Sequence, residues 1–190
     1  MLDFERYGGR RGYLVHLSEL SKNIFGLYRP LVQIDWPRID RLVFICAGNI
    51  CRSPYAAERA RTCGVNSVSF GLQASPGANA DPVATRNASR RNVDLTRHRS
   101  RRLEADSVRA TDLVLLFEPR QVEAFRSINS TAVGALSLAG LWSRPVRPHV
   151  ADPYAKSDRY FQECFSIIDS SVSTLCAHLS SGKPRAVKAG

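Results

Sequence analysis

The sequence predicts an α/β fold, a four-stranded parallel sheet flanked by helices on both faces. Three observations lead there. Short apolar runs alternate with stretches of helical periodicity along the chain. Runs such as Leu42-Val-Phe-Ile45 and Asp112 to Phe117 are apolar without polar alternation, as suits strands covered on both sides. The segment Cys46 to Pro54 reads as a strand end, a tight turn and a helix start, and parallel sheets bind ligands at such strand ends.

The elements follow in order. Residues 1–38 read as an N-terminal extension, 39–180 as the main domain and 181–190 as a flexible basic tail. Gly8-Gly-Arg-Arg-Gly12 reads as a flexible loop. Leu14, Leu17, Leu20, Ile24 and Phe25 fall near helical spacing, with Tyr28 continuing the stripe, and predict an amphipathic helix over about 14–27. The expectation is that this stripe packs on the domain and extends its core. Contact with a membrane surface is the alternative, disfavoured by a polar face that is only weakly basic. Pro30 and Pro37 bracket an extended link.

The first strand is expected at 41–46. Gly48 and Asn49 accept positive φ in the turn. A helix follows over 54–63, with Ser53 as its cap and Pro54 in its first turn. Val68 and Phe70 centre a second strand over 65–72. Ser75 to Pro82 is loop by composition, and Asp81 looks like the cap of a helix over 82–92. Residues 94–101 lead into another short helical stretch with Thr96 as cap. A strand at 112–117, a helix at 119–128, a strand at 132–138 and a proline- and arginine-rich loop at 140–152 come next. Phe161, Phe165, Ile168, Val172 and Leu175 predict a closing helix over 160–179.

Composition bounds the function. A hydrophobic fraction of 44% supports a packed core in one domain. Five cysteines at irregular spacing argue against a disulfide framework and for a reducing cytoplasm. Cys63, Cys164 and Cys176 sit on helical stretches and read as core. No run reaches the length of a transmembrane helix, and the N-terminus lacks the apolar stretch of a signal peptide. The net charge of +10 would permit nucleic-acid binding, but the basic residues are dispersed and no nucleic-acid motif accompanies them. A solvated basic surface is expected, with no nucleic-acid partner.

The loop from Cys46 carries the chemistry. A helix N-terminus presents unpaired N–H donors and partial positive charge, and consecutive loop amides form an anion-binding nest. Arg52 adds a planar fork that matches two phosphate oxygens. The same field favours a thiolate on Cys46, a nucleophile aimed at phosphorus. A buried structural cysteine in a phosphate-binding turn is the competing reading, but the full Cys-x5-Arg-Ser spacing on a strand–loop–helix favours catalysis. The leaving group then needs an acid from another strand-end loop. Asp152-Pro-Tyr154 is the best candidate; alone an Asp-Pro pair reads as a turn former, but beside the Cys46 loop it reads as the acid, with Tyr154 able to stack on an aromatic substrate. Asp94, Asp112 and Glu118 border elements and look structural. No metal and no cofactor is needed.

Cys46-Ala-Gly-Asn-Ile-Cys-Arg-Ser-Pro54, Asp94-Leu-Thr-Arg-His98 with Arg101, Asp112-Leu-Val-Leu-Leu116 and Asp152-Pro-Tyr154 together resemble the bacterial low-molecular-weight protein tyrosine phosphatases, over about Arg41 to Leu179. The resemblance implies their Rossmann-like three-layer fold. It implies Cys46 as nucleophile, Arg52 as phosphate clamp and Asp152 as general acid, with Ala47, Gly48, Asn49, Ile50, Cys51, Ser53 and Tyr154 around the substrate. Asn49 would hold the loop, Ser53 would hydrogen-bond the thiolate and His98 would support Asn49. Cys51 is either a redox partner that shields Cys46 or a small packing residue. Ile50, where the related arginine phosphatases tend to carry threonine, points to phosphotyrosine. The implied partner is a phosphotyrosine-containing protein, with a tyrosine autokinase of polysaccharide export as candidate. Two positions depart from the family pattern. Ser75 falls where an aromatic cleft wall is usual, and Ala57 replaces a common glutamate.

Two alternatives share this scaffold. A thiol-dependent arsenate reductase needs a relay of further cysteines, and none lies between Cys63 and Cys164. A non-catalytic phosphate-binding relative would have no need of Cys46, Arg52 and Asp152 together.

Overall fold

A computed structural model of the chain describes residues 3–129 and 134–182. Four parallel strands form one sheet in the order β2-β1-β3-β4: β1 Arg41–Cys46, β2 Ser67–Gly71, β3 Asp112–Leu116 and β4 Ala135–Leu138. The helices are α1 Arg10–Ile24, α2 Arg52–Thr62, α3 Pro82–Ser89, α4 Gln121–Ile128 and α5 Asp158–Gly182. Short 3-10 turns at Phe4–Tyr7, Arg29–Leu31, Trp36–Arg38 and Ala139–Trp142 join them. Part of the range expected for the fourth strand, residues 132–133, and most of the tail lie outside the described residues. Among the described residues no helix is long and apolar enough to cross a membrane.

The two-residue period of β1 divides the core. Leu42, Phe44 and Cys46 face a layer with Tyr55, Ala56 and Ala60 of α2 and Phe161, Phe165 and Ile168 of α5. Val43 and Ile45 face the opposite layer, with Val114, Leu116, Leu138, Leu103 and Phe125 of α4. The central strands are buried along their whole length, and each such aliphatic side chain stabilises the fold by about 1.5–3 kcal/mol. The pairing Cys46↔Gly71 and Leu116↔Leu138 brings the strand ends together at one edge of the sheet. That edge carries the site.

The N-terminal segment departs most from expectation. Its helix starts at Arg10 rather than near 14, because Gly8 (φ 75°) and Gly9 (φ 106°) turn the chain out of the first 3-10 turn. Gly12 lies inside the helix, where a Cβ would meet the Tyr7 carbonyl oxygen at 1.8 Å, so the glycine-rich stretch is a packed turn rather than a flexible loop. The helix also faces the other way. His16 and Glu19 are buried, with Glu19 accepting from Lys22 Nζ (2.9 Å) and from the Tyr28 hydroxyl, while Leu14, Leu17, Ile24 and Phe25 are exposed. The apolar stripe therefore does not extend the core. Tyr28 and Leu31 do pack against it, and Trp36 stacks on His178 with ring centroids 4.6 Å apart.

Three smaller expectations also change. Ser53 is not the cap of α2; the helix begins at Arg52, which frees the Ser53 hydroxyl for other partners. Residues 94–101 form turns and extended chain rather than a helix, because Asp94 Oδ1 accepts from both the N–H and the hydroxyl of Thr96 in a local turn. Cys63, the C-cap of α2, is exposed, whereas Cys164 and Cys176 are buried. Asp81 does cap α3, accepting from the Val83 and Ala84 N–H groups at 2.8 and 2.9 Å.

Candidate active site

The loop Ala47–Cys51 leaves β1 and is tied down from three sides. Leu72 N–H donates to the Cys46 carbonyl, Gln73 N–H to the Ala47 carbonyl and Asp81 N–H to the Ile50 carbonyl, each at 2.9 Å. Gly71 lets β2 run against the loop, since a Cβ there would lie 2.7 Å from the Ala47 carbonyl oxygen. Among the described residues the backbone N–H groups of Ala47 to Cys51 have no protein acceptor. They line a nest for an anion at the start of α2.

Asn49 sets the loop's shape. It is fully buried with φ 54°. Its Nδ2 donates to Ser53 Oγ (2.8 Å) and Ser69 Oγ (2.9 Å), and its Oδ1 accepts from the Arg101 N–H (2.8 Å). His98 Nε2 lies 2.7 Å from the Asn49 carbonyl oxygen. Burial pushes the His98 pKa down, so the ring is neutral and donates through Nε2. The hydroxyl of Ser53, within 3.1 Å of Cys46 Sγ, also reaches the Phe70 carbonyl.

Arg52 is wholly buried. Its Nη1 donates to Glu118 Oε1 (2.7 Å) and to the Val150 carbonyl (2.9 Å), and its Nη2 lies 2.7 Å from Asp152 Oδ2. Burial opposes the guanidinium charge, but Asp152, Cys46 and Glu118 outweigh it and hold the pKa above its usual value. Glu118 shows the converse. Burial would raise its pKa, yet the charges of Arg52 and Arg120 hold it below the usual carboxylate range. The Nη2–Asp152 contact is a charge pair, not an aligned hydrogen bond. Arg52 Nε and Nη2 are thus buried donors without an aligned acceptor among the described residues. Such donors cost free energy unless an anion takes them.

A cavity of about 250 Å³ opens onto this cradle. Cys46, Ala47, Gly48, Ile50 and Cys51 form its floor, and Asp152, Tyr154 and Gln73 its walls. Asp152 is part-exposed at the rim, where its Oδ1 accepts from the Tyr154 N–H at 3.2 Å. Tyr154 stands 57% exposed, free to meet an aromatic ring. Cys51 is a free thiol whose pKa burial pushes up, so it sits beside the cleft as a neutral group.

Every site residue expected from the sequence is brought to one place. The sequence reading missed three contributors. Glu118 looked structural but grips Arg52; the clue was its position just past the end of an apolar parallel strand. The Val150 carbonyl left no trace in sequence. Gln73 lines the cavity, whereas Ser75, at the usual place of an aromatic wall, is not part of its lining, and its carbonyl accepts from Ser100 Oγ at 2.5 Å.

The sequence profile of the family described as low molecular weight phosphotyrosine protein phosphatase matches residues 41–185. The probable low molecular weight protein-tyrosine-phosphatase AmsI of Erwinia amylovora is 33% identical over 135 residues, 70% of this chain and 92% of the relative. The low molecular weight protein-tyrosine-phosphatase Wzb of Salmonella typhimurium is 31% identical over 149 residues, 76% of this chain and 99% of the relative. Among solved structures, Vibrio vulnificus Wzb in complex with benzylphosphonate superimposes with a TM-score of 0.68 at 28% identity, covering 73% of this chain and 98% of that one. The profile match begins at the first residue of β1 and extends beyond α5, taking in the whole sheet and the cradle; by that span the chain belongs to the low molecular weight phosphotyrosine protein phosphatases.

Proposed function

We propose that the protein hydrolyses phosphotyrosine through a phosphocysteine. The observation that carries this is that Cys46 and Asp152 line one cavity, with the unaligned buried donors of Arg52 held behind it, Nη2 at 2.7 Å from Asp152 Oδ2. The dianion enters with its oxygens on the loop N–H groups and on Arg52 Nε and Nη2, drawing the fork away from Asp152. Cys46 Sγ attacks phosphorus in line; an S–P bond forms as the P–O bond to the aryl group breaks. Protonated Asp152 gives its proton to the departing phenolate oxygen. A water molecule then attacks the phosphocysteine, Asp152 takes its proton, and the P–S bond breaks to return the thiolate and release inorganic phosphate. Ser53 and the helix start stabilise the thiolate at both ends of the cycle.

Substrate class follows from the walls. Ile50 and Tyr154 offer an apolar face and an aromatic plane to a phenyl ring. The benzylphosphonate bound by the Vibrio relative has the same aryl-and-dianion pattern. We extend the proposal to a phosphotyrosine-containing protein in the cytoplasm, with the tyrosine autokinase of a polysaccharide export system as the partner suggested by family resemblance. Turnover of matched phosphotyrosine, phosphoserine and phosphoarginine peptides tests the class. Phosphotyrosine should lead by about a hundredfold or more in kcat/KM, about 2.7 kcal/mol of transition-state discrimination. Preference for phosphoarginine would overturn the assignment.

A further inference from the structure

Among the described residues, seven large apolar side chains stand exposed. One is Tyr154 in the cleft; the other six, Leu14, Leu17, Ile24, Phe25, Leu27 and Val32, all fall on α1 and the turn after it. Arg10, Leu14, Leu17, Ser21 and Ile24 succeed one another at spacings of three and four residues, so they share one outward face. Ile24 and Phe25, 74% and 81% exposed, are at its C-terminal end. A folded chain that sets its apolar residues outward and buries His16 and Glu19 presents a contact surface rather than a core helix.

Charge identifies what that surface contacts. Arg10 and Arg29 are exposed beside the stripe, and Lys22 is half exposed, while Arg11 turns to the inner side with Val15 and Glu19. From Tyr7 to Ile34 the one acid is Glu19, turned inward onto Lys22 and Tyr28. Asp3 and Glu5, just before it, are paired with Arg159. The outward face is therefore apolar and cationic. A second copy would set the same cations against each other. Residues 183–190 carry three cations and no acid, so they offer no complement. A phospholipid surface supplies both requirements, acyl chains for the stripe and phosphates for the arginines.

We infer that α1 seats the protein on an anionic membrane surface, with Leu14, Leu17, Ile24 and Phe25 in the headgroup–acyl boundary and Arg10 and Arg29 against lipid phosphates. The inner side of α1 borders a cavity of about 410 Å³ shared with Glu118 and Asp152. Seating on α1 therefore holds the catalytic cleft close to the bilayer and raises the effective concentration of phosphorylated segments that emerge near it. This goes beyond the phosphatase reaction and stands whether or not that reaction is correct.

Flotation of the full chain with two kinds of vesicle tests it, phosphatidylcholine alone and phosphatidylcholine mixed with phosphatidylglycerol. The protein should float with the mixed vesicles and weaken as salt is raised. It should bind neutral vesicles much less, since each cation at an anionic leaflet is worth about fivefold in affinity. Ile24→Glu with Phe25→Glu should lower binding by at least about tenfold, while p-nitrophenyl phosphate turnover and the melting midpoint stay at wild-type values. No flotation at low salt, equal binding to neutral vesicles, or unchanged binding by the double variant would each overturn the inference. So would a dimer, measured by light scattering without vesicles, that the double variant dissolves, because a second copy would then cover the stripe.

Discussion

Glu118→Gln removes the charge that faces Arg52 while keeping the shape of the side chain. The two groups are 2.7 Å apart at 0% and 2% side-chain exposure. Losing one partner of a buried pair typically costs about 3–5 kcal/mol, because the other charge is left uncompensated. Two features reduce that here. Asp152 Oδ2 still lies 2.7 Å from Nη2, and the Val150 carbonyl still accepts from Nη1 at 2.9 Å. The expected loss is about 2–3 kcal/mol, or a melting midpoint lower by about 5–10 °C in a chain of this size. Activity should fall further than stability alone explains. With Glu118 neutral, Asp152 becomes the one carboxylate on Arg52 and competes with the incoming dianion for the fork. A drop of roughly a hundredfold in kcat/KM, about 2.7 kcal/mol, is expected under conditions where the variant is fully folded. Calorimetry and steady-state turnover of p-nitrophenyl phosphate measure the two effects separately. Wild-type values in both would refute the argument that Glu118 holds Arg52 in place.

Other perturbations separate the loop's supports. Asn49→Ala deletes three hydrogen bonds, each worth about 0.5–1.5 kcal/mol, and puts alanine at φ 54°, a further penalty of about 1 kcal/mol. Urea unfolding should give a loss of about 3–5 kcal/mol, with Asn49→Gly milder by about 1 kcal/mol; equal losses would remove backbone strain from the account. Acid should also act through His98. Its folded pKa is depressed by burial, so its stabilising contribution is complete above the unfolded value of about 6.5 and is lost as pH falls through the folded one. His16 and His149 are depressed in the same direction, so His98→Gln should flatten the fall in stability below about pH 6.5 without abolishing it. An unchanged slope would place the His98 proton outside the folding equilibrium.

The catalytic half of the molecule was legible because its signals are local. Continuous apolar runs marked β1 and β3, and the cradle's own loop is one unbroken stretch from Cys46 to Ser53. Asp152 was legible as a carboxylate fixed by a proline after the last strand. What escaped was set by tertiary contact. The Val150 carbonyl and Glu118 meet Arg52 from segments 98 and 66 residues away, and no periodicity encodes such a meeting. The orientation of α1 escaped for a different reason. Its apolar spacing fixes a face but not the direction of that face; the inner side is marked by the buried Glu19, which accepts from Lys22 and Tyr28. In residues 94–101, local side-chain bonds from Asp94 outweighed helix propensity.

The central claim is a covalent phosphocysteine on Cys46 with Asp152 as the proton donor. Single-turnover mass spectrometry of the Asp152→Ala variant with p-nitrophenyl phosphate tests it most directly, with Cys46→Ser run beside it and chelator present throughout. p-Nitrophenol is a good leaving group, so the first step proceeds without the acid, while hydrolysis of the intermediate slows without its base. The account predicts one phosphoryl group accumulating on the Cys46 peptide of Asp152→Ala, and no turnover by Cys46→Ser. Sustained turnover by Cys46→Ser, or a phosphoryl group on any other residue, would contradict it.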